Sequence, residues 1–245
     1  MGDVASTPLL SLRGVDVDIA GIRVLRALDA GFDGGRTYAI VGRNGAGKTT
    51  LLRTIMGFTA VRGGSIALAG VDLRTQAPFR RAALGVGYAP EDRVLFPTMS
   101  VRENLRMPCE AIGLDGARTD ARLAEALQAV PEIEPMLGRS AAALSGGQGK
   151  MAALARALML ATRVLLVDEP FQGLAPALAR QYADALARLV ALRPGLCVIV
   201  TESNRALLDR IDCVRLSLER GELGSDGAAT TFAGDGTRST PARVT

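Results

Sequence analysis

Gly42-Arg43-Asn44-Gly45-Ala46-Gly47-Lys48-Thr49 is a complete G-x-x-x-x-G-K-[ST] run, and its flanks decide how the chain folds. Residues 36–41 (Arg-Thr-Tyr-Ala-Ile-Val) read as a short buried strand, and residues 50–56 as the start of a helix. Strand, glycine loop, helix is the context in which successive backbone N–H groups turn inward as an anion cradle. Lys48 is then placed to reach the β- and γ-phosphates of a nucleotide, and the Thr49 hydroxyl to meet Mg²⁺. Arg43, Asn44, Ala46 and Thr50 complete the wrap of the loop around the phosphates. The alternative is a glycine-rich turn that binds nothing, and the flanking elements weigh against it.

The basic residues sharpen this reading. Of 29 Lys and Arg, only Lys48 and Lys150 are lysines. Where arginine fills every other basic position, a lysine in the glycine loop points to a need for a compact ammonium that a planar guanidinium cannot replace.

Composition narrows the classes further. The 245 residues are 48% hydrophobic and 22% charged, which fits one large globular domain, or a domain with a subdomain. A net charge of +4 comes from scattered arginines with no basic stripe interleaved with aromatics, so nucleic acid is not an expected partner. Histidine is absent, which excludes histidine acid–base chemistry and histidine metal ligation and favours carboxylates. Cys109, Cys197 and Cys213 lack C-x-x-C spacing and read as core thiols in a reducing compartment. No apolar run reaches membrane-spanning length, since residues 152–167 are interrupted by Arg156 and Arg163. Met1, Gly2 and Ser6 fit the bare myristoylation pattern without a polybasic flank, and are read as coincidence. With no signal-peptide h-region at the N-terminus, the expectation is a soluble, cytoplasmic protein.

Along the chain, residues 9–19 and 23–32 alternate as antiparallel strands, residues 64–73 form a hairpin-like strand, and residues 84–89 a short buried one. Between 100 and 144 strand signals vanish, and helical spacing appears at 101–107 and 118–130, with Pro108, Pro131 and Pro135 as breaks. Strands resume at 164–167 and 196–200 around a helix at 176–192, the alternation of a parallel sheet. Residues 225–245, rich in Gly, Thr, Ser, Asp and Arg, read as a mobile tail.

Two further segments carry chemistry. Val164-Leu165-Leu166-Val167-Asp168-Glu169 is a hydrophobic strand ending in two carboxylates. There Asp168 can hold Mg²⁺, and Glu169 can orient the attacking water or accept its proton. Leu144-Ser145-Gly146-Gly147-Gln148-Gly149-Lys150 precedes a helical run at 151–160. Ser145 is a good N-cap, and the exposed N–H groups of Gly146, Gly147 and Gln148 suit an anion, while the segment taken alone reads as well as an ordinary capped helix whose glycines ease the turn.

Together these segments resemble the nucleotide-binding subunit of ABC transporters over roughly residues 9–224. Leu144-Ser145-Gly146-Gly147-Gln148 is similar to the signature of that family, and its place about twenty residues before Asp168-Glu169 carries the resemblance. The implied fold is an α/β P-loop NTPase core with an antiparallel β subdomain and a helical subdomain inserted at about 92–160. The whole would form one ABC ATPase domain over 1–224. The resemblance implies ATP and Mg²⁺ as ligands and a head-to-tail dimer in which residues 145–148 face ATP held by a second ATPase subunit. It also implies transmembrane permease subunits docked near residues 91–99, an indirect link to a solute-binding protein, and a place on the inner face of the membrane.

Finer similarity is to the branched-chain amino acid, LivF-like, group. It rests on Tyr88-Ala89-Pro90-Glu91-Asp92-Arg93, Phe96-Pro97, Ser100-Val101-Arg102-Glu103-Asn104-Leu105 and Phe171-Gln172-Gly173-Leu174-Ala175-Pro176. Urea or amide uptake relatives are similar. Glu91 stands where the wider family has Gln, which puts a carboxylate near Mg²⁺ and the reacting phosphate. Ser203 stands at the switch position where many members carry His, and Ile19 where an adenine-stacking aromatic is expected. Ser203 has a shorter reach and cannot become cationic, so the chain's own ATP site is expected to turn over slowly. Two other functions stay open at this point: a soluble ABC-type ATPase in an assembly process, and a nucleotide-binding regulatory subunit with little hydrolysis.

Overall fold

The structure, a computed structural model, describes residues 7–92 and 95–225. The antiparallel layer comes first: β1 (Leu10–Ile19) and β2 (Ile22–Phe32), then β4 (Gly63–Leu68) and β5 (Val71–Asp72), in the spatial order β2-β1-β4-β5. The second sheet carries the glycine loop. It contains β3 (Thr37–Val41), β6 (Val86–Ala89), β7 (Val164–Asp168), β8 (Cys197–Glu202), β9 (Val214–Glu219) and β10 (Glu222–Ser225), ordered β10-β9-β3-β8-β7-β6. All its neighbours are parallel except β9 and β10.

Parallel strands covered on both faces need apolar residues at every position. Each of the five residues of β3 is buried, as is each of β7. Tyr38 and Ile40 point into a core shared with the antiparallel layer and α1 (Lys48–Met56). Ala39 and Val41 point into a second core, with α3 (Val101–Ala111), α4 (Gly116–Ala129), α5 (Gly146–Leu158) and α6 (Pro176–Leu192). The short α2 (Pro78–Ala83) leads into β6. The helices from α3 to α5 are therefore not sealed off from the sheet, because α5 packs on β6 and β7 as well as on α3 and α4.

The fold class expected from the sequence is the one observed, with corrections in detail. The first helix starts at Lys48 rather than Thr50, since the turn at Gly47 leads straight into it. Pro108 does not break its helix but sits inside α3, whose start is fixed by a capping box between Ser100 and Glu103. The fifth helix starts at Gly146, ahead of the expected 151, and ends at Leu158. Strands β9 and β10 were not foreseen, and β10 claims Ser225 from the expected tail. The rest of that tail, residues 226–245, lies outside the described residues.

Candidate functional site

The glycine loop leaves β3 at Val41 and enters α1 at Lys48. Gly47, the N-cap of α1, has φ 108°, a backbone that an L side chain rarely adopts. Gly42 is needed for a different reason: a Cβ there would stand 2.4 Å from the carbonyl oxygen of Leu218 in β9. Among the described residues, nothing accepts a hydrogen bond from the N–H groups of Gly45, Gly47, Lys48, Thr49 or Thr50. Five donors open at a helix N-terminus fit a polyphosphate.

Lys48 is buried, and its ammonium donates to Gly42 O (2.7 Å), Arg43 O (3.2 Å) and Ser203 Oγ (3.1 Å). It also stands 3.1 Å from Glu169 Oε1. The parallel register brings in the carboxylates: β8 lies between β3 and β7, pairing Val41 with Glu202 and Asp168 with Thr201. Asp168 Oδ1 accepts from Thr201 Oγ1 at 2.7 Å and from Thr49 Oγ1 at 3.2 Å, and Oδ2 from the Tyr88 hydroxyl at 3.3 Å. A hydroxyl and a carboxylate converging in this way are hard oxygen donors of the kind Mg²⁺ prefers. Among the described residues no three Asp, Glu, Cys or His side chains gather as a metal cluster.

Glu169 follows at the end of β7 with φ 45°, in the left-handed region. Its Oε1 accepts from Ser203 Oγ at 2.6 Å and its Oε2 from the Ser203 N–H at 3.1 Å. Burial pushes this carboxyl up, but the Ser203 bond and the Lys48 ammonium outweigh it and hold the pKa below the usual Glu value. Glu202, also buried, moves the other way. Burial first, then the neighbouring Glu169 charge, push it up to about 7, against the Phe171 N–H that its Oε1 accepts at 2.9 Å. The two carboxyls are thus driven apart, Glu169 ionising at lower pH than Glu202.

Glu91 lies beyond the end of β6, and burial together with the charges of Asp168 and Glu169 raises its pKa. It lines a groove of about 550 Å³ with Asp92, Leu95, Pro97, Lys150 and Gln172, among others. Beside the groove, buried Asn104 holds Phe96 by its N–H (2.7 Å) and carbonyl (3.0 Å). Ile19 is 43% exposed at the tip of the β1–β2 hairpin, paired with Ile22, which is 70% exposed. Further along β2, Val24 and Leu25 pack against Gly47.

Residues 145–148 form the N-terminus of α5. Ser145 and Gln148 make a reciprocal capping box, Ser145 N–H to Gln148 Oε1 (2.9 Å) and Gln148 N–H to Ser145 Oγ (3.4 Å). Gly147 lets Leu178 of α6 approach, since a Cβ there would meet Leu178 Cδ1 at 2.2 Å. Among the described residues, no hydrogen bond joins 145–148 to the glycine loop of the same chain.

The structure thus brings together Gly42 to Thr50, Asp168, Glu169 and Ser203, with Glu91 within electrostatic reach. Residues 145–148 stand apart from them. Sequence reasoning missed Thr201, Tyr88, Glu202 and Ile22 as members of this neighbourhood. Thr201 and Glu202 were in view beside Ser203, but only strand register reveals what they face.

A model of the ABC transporter family matches residues 25–172. The chain is 35% identical over 185 residues to the probable branched-chain amino acid transport ATP-binding protein LivF of Archaeoglobus fulgidus, covering 75% of this chain and 76% of the relative. It is 38% identical over 224 residues to the Fe(3+) ions import ATP-binding protein FbpC 1 of Rhodococcus jostii, covering 90% of this chain and 62% of that one. It therefore spans less than two thirds of the iron-import relative. Among solved structures, the ATP-binding subunit of an ABC transporter is similar at 27% identity and a TM-score of 0.75, over 89% of this chain and 90% of the other. A dimeric bacterial ABC transporter cassette shares the fold at 21% identity and a TM-score of 0.76, over 87% and 96%. The chain belongs to the ABC transporter family, among its ATP-binding proteins, and is an ATPase.

Proposed function

We propose that the chain is the ATP-hydrolysing subunit of an importer for branched-chain or related amino acids, driving uptake through separate permease subunits. One observation carries the reading: Lys48, Thr49, Asp168, Glu169 and Ser203 converge within hydrogen-bonding reach at the mouth of a loop with open N–H groups. In this reading the loop amides and Lys48 hold the triphosphate, and Ile19 lies against the adenine. Thr49, Asp168 and Glu91 hold Mg²⁺, which when bound supplies neutralising charge to the phosphates. Glu169, kept ionised by Ser203 and Lys48, orients water and takes its proton. Residues 145–148 of one subunit serve the ATP held by a second ATPase subunit.

No helix among the described residues is long and apolar enough to cross a membrane. Passage of the solute is assigned to permease subunits seated at the groove lined by Glu91 and Asp92, with a solute-binding protein upstream. The chain would then work on the cytoplasmic face of the membrane.

Amino-acid uptake is favoured by the more complete coverage of the LivF relative, 76% against 62% for the iron importer. Ferric-ion import is the second reading, supported by 38% identity over 90% of this chain. The experiment is phosphate release by the purified chain with its co-purifying subunits, alongside labelled leucine and ferric-ion uptake in a strain lacking it. Expected are turnover at this subunit's own site, measured with the partner's catalytic carboxylate disabled, lower in Glu169→Gln by on the order of a hundredfold, and loss of leucine uptake alone in the strain lacking the chain. Loss of iron uptake alone would move the solute to the second reading.

A further inference from the structure

Both of the chain's lysines reach Glu169, one at its side chain and one at its backbone. Lys48 Nζ is 3.1 Å from its carboxylate, and Lys150 Nζ is 2.9 Å from its carbonyl oxygen. The same Lys150 ammonium donates to Gln172 O at 2.7 Å and has Pro170 O at 3.5 Å. These carbonyls converge because residues 169–172 form a turn closed by the Gln172 N–H on Glu169 O (3.3 Å). A compact ammonium with three donors can sit over such a convergence.

Glu169 needs this support. A non-glycine residue in the left-handed region is strained and persists only where its surroundings hold it. On the amide side, the Glu169 N–H meets both Thr201 O and Thr201 Oγ1 at 3.2 Å. On the carbonyl side the Gln172 N–H closes the turn at 3.3 Å, and Lys150 adds the shorter bond at 2.9 Å. Lys150 lies five residues beyond Ser145, on the helix whose start is locked by the Ser145–Gln148 capping box. One ammonium therefore ties the capped end of α5 to the peptide unit that aims the Glu169 carboxylate at Ser203 and Lys48.

We infer that Lys150 is a positioning residue for Glu169, fixing its left-handed backbone and making that geometry follow the N-terminal end of α5. The inference rests on the reading of Glu169 as the hydrolytic carboxylate. A displacement of residues 145–148 would be transmitted through the Lys150 side chain to the Glu169 carbonyl.

The test uses the full chain with its co-purifying subunits as wild type, Lys150→Met and Lys150→Arg. Three quantities are measured: MgATP binding by calorimetry, kcat and KM at this subunit's own site with the partner's catalytic carboxylate disabled, and amide hydrogen exchange across residues 165–174. The expected result for Lys150→Met is a kcat about tenfold lower, KM within about twofold of wild type, and faster exchange at 169–172. Lys150→Arg should fall between, and it stands in if the methionine variant does not fold. Unchanged kcat per site, or a loss found wholly in KM or in thermal stability, would overturn the positioning role. Unchanged exchange would overturn it whatever the turnover. Wild-type chain that binds MgATP yet releases no phosphate would instead sink the reading of Glu169, leaving exchange to decide whether Lys150 holds the turn.

Discussion

Ser203 grips both oxygens of Glu169, its Oγ donating to Oε1 at 2.6 Å and its N–H to Oε2 at 3.1 Å. Two bonds from one residue fix the plane of the carboxylate. The Ser203 hydroxyl has one proton, and Asn44 Oδ1 lies 2.8 Å away on its other side. That proton cannot serve both acceptors, and the charged one wins. Asn44, turned about its amide, can donate in return, and Lys48 already donates to the same oxygen.

Ser203→Ala removes the shorter bond and leaves the N–H in place. A hydrogen bond to a charged group is worth about 1.5–3 kcal/mol, so kcat should fall about tenfold or more with little change in KM. The sign on pH follows from the same bond. Ser203 helps lower the Glu169 pKa, so its loss raises that pKa and moves the acid limb of the rate profile to higher pH. Ser203 is nonetheless a short neutral switch, so wild-type turnover should stay low when the partner subunit's catalytic carboxylate is disabled. Brisk residual phosphate release would refute the slow-site expectation.

Glu202 predicts a pH-dependent stability. Its folded pKa is about 7 against an ordinary 4.5. Below about pH 4.5 both folded and unfolded chains carry the proton, and burial of the neutral acid carries no ionisation cost. Between about 4.5 and 7 the unfolded chain ionises while the folded one does not, so stability falls as pH rises. Above 7 the deficit is complete, at most about 3 kcal/mol. Glu202→Gln removes this titration and keeps a donor toward Glu169. Its melting temperature relative to wild type should therefore be more favourable at pH 8 than at pH 5.5 by calorimetry. An equal difference at both pH values would mean that Glu202 is ionised in the fold.

Asp168 predicts a metal dependence. Its Oδ1 is shared by the Thr49 and Thr201 hydroxyls, and its Oδ2 accepts from Tyr88. Asp168→Asn keeps an acceptor for the hydroxyls but removes the charge that would face Mg²⁺. The Mg²⁺ concentration for half-maximal nucleotide binding should rise on the order of tenfold, while binding in chelator should change little. Identical Mg²⁺ titrations for variant and wild type would remove Asp168 from the metal site.

The loop from Gly42 to Thr49, the strand ending in Asp168-Glu169 and the capped helix at Ser145 were legible because each is local. Glycine spacing, an apolar run and a capping pair are short-range patterns. What could not be read was register. Thr201 reaches Asp168 only because β8 is inserted between β3 and β7, and Leu218 constrains Gly42 only because β9 lies on the far side of β3. Strand β9 was legible too, since Val214, Leu216 and Leu218 alternate with Arg215, Ser217 and Glu219 in the period-two pattern of a strand, and it went unread. Pro108 misled because proline usually ends a helix, whereas α3 is held by its N-terminal capping box and its buried face.

Arg81 supports the loop from the far end of α1. Its Nη1 donates to Thr54 O and Ile55 O, each at 2.8 Å, and its Nε to Gln76 O at 2.9 Å. Those first two carbonyls belong to the last turn of α1, which closes at Gly57 in the left-handed region. A Cβ at Gly57 would lie 2.8 Å from Arg81 Cζ, so the guanidinium is stacked tightly over the turn. Burial lowers the Arg81 pKa, and its bonds are to neutral carbonyls. Arg81→Met would take a hydrogen bond from buried Thr54 O and Ile55 O and from half-buried Gln76 O, with Thr54 O keeping the Gly57 N–H, at a cost of about 1–3 kcal/mol in urea unfolding. Arg81→Lys, shorter and without the fork, should recover only part of that. Lys48 and Thr49 sit at the opposite end of the same helix, so MgATP affinity of the folded variant should stay within about threefold of wild type. A variant as stable as wild type would show that water satisfies these carbonyls as well as Arg81 does.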